Sequence, residues 1–142
     1  MDAKAIRYGI ILIQVLLFST FVALKSSRIV NAGEEQALIV AIRLRSGDMG
    51  DTHERKRILA LEHELSAAVK ESGAGEFDGD EFGKGVCNIY LYGPSAERLY
   101  SVTRPILKTF HPPTGSYLIK RYGKPGSKQE RVSIAGEEDP HK

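Results

Sequence analysis

Four carboxylates stand within six positions of the segment Glu76-Phe77-Asp78-Gly79-Asp80-Glu81, and Phe82-Gly83 closes it. Clustered carboxylate oxygens are what hard cations such as calcium or magnesium require, and a glycine lets the backbone turn tightly among them. Asp78, Asp80 and Glu81 are therefore the candidate cation ligands, and a divalent cation is the one cofactor the chain suggests. The spacing departs from that of a calcium loop, which places acids at alternate positions and a glutamate further on. A structural reading competes: a hairpin turning at Asp78-Gly79, with Phe77 and Phe82 packed on the core.

Other reactive residue types are sparse. His53, His63 and His111 are available as bases or nitrogen ligands, but His63-Glu64 lacks the second histidine of a zinc-protease helix, since Ala67 stands in its place. Neither a nucleophile elbow nor a phosphate-cradling glycine loop occurs. Cys87 is alone, which excludes an internal disulfide and a metal site built from cysteines. Its alternation with core-facing positions marks it as an inert buried thiol. The case for an enzyme is weak. Lys84 to Leu91 invites comparison with the strand signature of RNA-recognition domains, but Val86, Asn88 and Leu91 replace its stacking aromatics. Tyr90, Tyr92 and Arg121, with Lys120 and Arg131 on neighbouring strands, suit contacts with a protein or an anionic ligand, or self-association, instead.

These residues need a scaffold, and the sequence supplies one. Leu38, Val40, Ile42 and Leu44 alternate in a first strand over Ala37–Arg45. Asp51, three before Glu54, opens a helix over Thr52–Ser72 whose apolar stripe is Ile58, Leu61, Leu65, Ala68 and Val69. Glu62 is assigned with His53, Arg55, Lys56, Glu64 and Lys70 to the remaining faces, and Gly73 ends the helix. After the acidic segment, Val86–Tyr92 reads as a strand with Cys87, Ile89 and Leu91 on one side. Ser95 caps a second helix with Leu99, Val102, Ile106 and Phe110 buried, and Pro105 is expected to kink or end it. Strands over Ser116–Tyr122 and Glu130–Ile134 follow. Two helices crossing one face of an antiparallel sheet give an α+β domain, here a ferredoxin-like sandwich.

That domain begins at a seam. Gly9–Leu24 is uncharged, Lys4 and Arg7 precede it, and Val30-Asn31-Ala32 ends the exit region. This is the layout of a signal peptide cleaved after Ala32. An uncleaved anchor is the alternative, although sixteen uncharged residues fall short of the roughly 20 that span a bilayer. A buried cytosolic helix is the third reading, against which stands an apolar surface on every face. The division is 1–32 as signal or anchor, 33–136 as the domain, and 137–142 as a disordered tail, in an exported or membrane-tethered protein. The formal charge of +2 comes from the first segment: residues 33–142 hold 16 basic and 17 acidic residues. A near-neutral domain makes no electrostatic case for nucleic acid.

The strings Glu-Phe-Asp-Gly-Asp-Glu-Phe-Gly (76–83), Cys87-Asn88-Ile89-Tyr90-Leu91-Tyr92-Gly93-Pro94, Gly115-Ser116-Tyr117 and Arg121-Tyr122-Gly123 are similar to those of a family of small uncharacterised bacterial proteins. The resemblance spans roughly 37–134 and brings no activity with it, but it gives weight to Asp78, Asp80, Glu81 and Arg121. The expectation is a binding or interaction module, with a cation-binding or metal-dependent enzyme at residues 76–81 and a cytosolic structural dimer as the alternatives.

Overall fold

A computed structural model describes residues 33–134. The expected N-terminal hydrophobic helix, cleavage after Ala32 and disordered tail fall outside the described residues. Five strands and two helices follow in the order β1 (Gln36–Arg43), α1 (Thr52–Glu71), β2 (Glu76–Gly83), β3 (Val86–Gly93), α2 (Ala96–Phe110), β4 (Tyr117–Arg121) and β5 (Gln129–Ser133). The sheet runs β2-β3-β1-β4-β5, and every neighbouring pair is antiparallel. The protein is an α+β fold. Among the described residues no helix is long and apolar enough to cross a membrane.

Strand alternation divides the sheet into two faces. Leu38, Val40 and Ile42 of β1, Cys87, Ile89 and Leu91 of β3 and Leu118 of β4 form one core with Ile58, Leu61, Leu65 and Val69 of α1 and Leu99 and Leu107 of α2. Both helices therefore cover the same face. On the other face β1 carries Ala37 and Ala41, whose small side chains are covered although neither described helix lies there. Their register partners are Tyr92 and Arg121 for Ala37, and Asn88 and Tyr117 for Ala41.

The cap of α1 forms as its spacing predicts, with a variation. Asp51 accepts from Glu54 N at 2.8 Å, while the Glu54 carboxylate accepts from Arg45 N at 2.7 Å and Ser46 N at 2.9 Å. Glu54 thus ties the helix start to the end of β1. Ser95 caps α2 by accepting from Arg98 N.

Five expectations are corrected. The acidic segment does not turn at Asp78-Gly79: it is the continuous strand β2, with a bulge between Phe77 and Gly79. The hairpin turns at Lys84-Gly85, both in the positive-φ backbone that tight β-hairpins demand, while Phe77 and Phe82 do pack against the core. Glu62 is buried within the apolar stripe of α1. Lys120 belongs to the helix-covered face and is 6% exposed. In α2 the buried residues are Ala96, Leu99, Thr103 and Leu107, so the stripe is rotated, and Val102, Ile106 and Phe110 pack at its margin. The helix continues past Pro105 rather than ending there; the missing N–H costs one hydrogen bond on a side where Ser101 and Pro105 face solvent.

Candidate functional site

Alternation along β2 sends the three candidate ligands to different surroundings. Asp78, at the bulge, lines a depression with Glu34, Glu35, Glu76, Tyr92, Arg121 and Lys124. Glu81 lies on the helix-free face and accepts a hydrogen bond from the Tyr90 hydroxyl at 3.1 Å. Asp80 points to the helix side and lines a cleft with Glu62, Arg55, Lys56, Leu59, Thr52 and Phe82. Asp78, Asp80 and Glu81 do not converge on one point.

A different group does converge. Ligand atoms of Glu62, Asp80 and Cys87, from α1, β2 and β3, lie within 4.8 Å of one another. Glu62 is 7% exposed, and its Oε1 is buried with no hydrogen-bond partner among the described residues. Burial, reinforced by the Asp80 charge, pushes its carboxyl up to about 7. The fully buried Cys87 thiol is pushed up to about 12, again by burial first and then by the charges of Glu62 and Asp80, with Arg55 opposing. Arg55 stacks over the Phe82 ring at 4.3 Å, at the rim of the cleft. The cleft has a volume of about 340 Å³.

Cys87 is buried where alternation places it, and Asp80 lines the cleft, whereas Glu62 is buried against the expectation of an exposed face. The signal was present: Glu62 lies four residues after Ile58 and three before Leu65, so it shares their stripe.

Tyr90, Tyr92 and Arg121 lie on the sheet face away from the described helices. Tyr92 and Arg121 both pair with Ala37 across β1, and the Arg121 guanidinium sits 5.8 Å from the Tyr92 ring centroid. Arg121 Nε donates to Gly123 O at 3.0 Å, which fixes the side chain. Ile39 and Ile119 lie between Tyr90 and Arg131 in the next row, and Arg131 stacks on Tyr117 at 3.6 Å. The face is a half-exposed apolar and aromatic strip with guanidiniums toward β4 and β5 and carboxylates toward β2.

Lys120 makes a separate cluster. Its ammonium donates to Glu97 and Glu130, each at 2.9 Å, and the Tyr122 hydroxyl lies 2.5 Å from Glu97 and 2.9 Å from Glu130. These contacts hold both carboxyls below their ordinary range, Glu97 chiefly through Tyr122 and Glu130 chiefly through Lys120. They also raise the Lys120 ammonium and push Tyr122 up to about 12. His53, His63 and His111 are all exposed, and His111 Nδ1 is engaged with Thr109 O at 2.8 Å.

Compared with family models, with curated proteins and with solved structures, the chain matches none.

Proposed function

We propose that residues 33–134 are an interaction module of ferredoxin-like topology whose helix-free sheet face receives a protein, in its simplest form a second copy of the chain. The observation that carries this reading is the strip of Tyr90, Tyr92, Ile39, Ile119, Tyr117 and Arg121, left half-exposed while both helices occupy the other face. Aromatic and arginine side chains anchor protein contacts because they bury large area at little entropic cost. The charge layout favours self-pairing. A two-fold axis along β1 lays the carboxylate-bearing β2 side of one copy over the guanidinium-bearing β5 side of the other, and sets Tyr92 against Arg121. The strand order β2-β3-β1-β4, with β5 added at the edge, supports the ferredoxin-like assignment. Residues 1–32 would deliver the module outside the cytoplasm or tether it to a membrane; that part rests on Gly9–Leu24 and its basic flanks alone.

Light scattering of the full chain and of the Tyr92→Ala and Arg121→Ala variants tests the reading. A dimer that dissociates in both variants supports it, whereas the same mass in all three proteins overturns self-association through this face.

A further inference from the structure

The geometry points to a binding site for a borderline divalent cation such as zinc, held by Glu62, Asp80 and Cys87 at the junction of α1, β2 and β3. It is independent of the interaction face, which lies on the other side of the sheet.

Three observations converge on it. The donor atoms sit within 4.8 Å of one another. Tetrahedral coordination with oxygen at ~2.0 Å and sulfur at ~2.3 Å needs ligand separations of about 3.3–3.5 Å, so side-chain adjustments of about 1 Å close the site. Glu62 Oε1 is buried and has no hydrogen-bond partner among the described residues, within a side chain only 7% exposed that lines the cleft. An orphaned carboxylate oxygen inside a protein is costly unless something positive meets it. The donor set is also mixed. A thiolate beside two carboxylates selects zinc-like ions over calcium and magnesium, which take oxygen alone.

The cation replaces the Cys87 thiol proton, which leaves to solvent, and any proton held on Glu62 leaves with it. Three protein ligands leave a fourth position toward the cleft, where Arg55 and Lys56 favour water or an anionic ligand. Affinity therefore rises with pH. The other acids of β2, Glu76, Asp78 and Glu81, take no part.

Titration of the full chain with Co²⁺, read by its thiolate-to-metal absorption in the near ultraviolet, tests this directly. The expected result is a thiolate band saturating at one cobalt per chain and bleached by Zn²⁺. Cys87→Ser should abolish the band, and Glu62→Gln and Asp80→Asn should each weaken binding at least about tenfold, while Asp78→Asn and Glu81→Gln leave it unchanged. Should Cys87→Ser fail to fold, the two carboxylate variants decide the matter. The absence of a thiolate band, or binding that follows Asp78 and Glu81 instead, would overturn the site.

Discussion

Glu62→Gln, studied in a chelating buffer, isolates what the buried carboxylate does to stability. In the unfolded chain a glutamate titrates near 4.5, whereas Glu62 in the fold is pushed up to about 7 by burial and by Asp80. The folded state therefore holds its proton over a range in which the unfolded state has lost it. Below about 4.5 both are protonated and the group costs nothing by ionisation. As the pH rises through that window and past 7, stability is lost, and above the folded value the loss is complete. The span from 4.5 to about 7 corresponds to roughly 3 kcal/mol, and water in the adjoining cleft relaxes part of it, leaving roughly 2 kcal/mol between pH 5 and pH 8. Gln keeps the shape and cannot ionise, so its own buried-amide cost is the same at both pH values. Urea denaturation of the two proteins at pH 5 and pH 8 should show the variant gaining on the native chain by roughly 2 kcal/mol at the higher pH, or about 10 °C in Tm. Comparing the difference removes the opposite contribution of Asp51, Glu54, Glu97 and Glu130, whose lowered carboxyls lose stability as the pH falls. A stability difference that is the same at pH 5 and pH 8 would refute the burial argument.

Two further substitutions probe the scaffold. Gly75→Ala would place a methyl carbon 2.0 Å from the Tyr92 carbonyl oxygen and 3.0 Å from a Leu99 methyl; thermal denaturation should show a loss of at least about 3 kcal/mol. Lys120→Met keeps the apolar stem but removes the ammonium from between Glu97 and Glu130. Because those partners are more than half exposed, the cost at pH 7 should be only about 1 kcal/mol. The deficit should shrink as acid protonates the carboxylates, a trend that chemical denaturation at pH 4 and pH 7 would check.

Where one periodicity governs, the fold was legible. Leu38-Val40-Ile42 and Cys87-Ile89-Leu91 alternate without interruption, and both strands lie where alternation puts them. The caps at Asp51 and Ser95 were legible because a short polar side chain before an apolar stripe has one efficient use. Glu62, Lys120 and Thr103 depart from expectation for one cause: a polar side chain suggests exposure where its position dictates burial. Glu62 and Lys120 sit on buried faces by position, but Glu62 is accommodated by a raised proton affinity and Lys120 by carboxylates from α2 and β5. The partners of Lys120 come from elements distant in the chain and are not visible in a linear sequence. The stripe of α2 is rotated because Thr103 can be buried: its hydroxyl donates to Leu99 O at 2.8 Å and leaves no orphan.

The acidic segment shows why composition alone could not settle its role. β2 is an edge strand, and an unpaired edge invites pairing with other chains unless charge or irregularity blunts it. Glu76, Asp78, Asp80 and Glu81 supply charge, and the bulge at Asp78 breaks the regular row of N–H and C=O groups. That protection needs only that the carboxylates be many, not that they converge. Convergence is a separate demand, and in a strand it cannot be met by neighbours, because Asp80 and Glu81 must face opposite sides of the sheet. Only Asp80 can join a site on the helix side, and its companions have to come from other elements. Glu62 and Cys87 are eighteen residues before it and seven after it, so edge protection is written within β2 while the Glu62, Asp80 and Cys87 donors come together only once α1 has docked on the sheet.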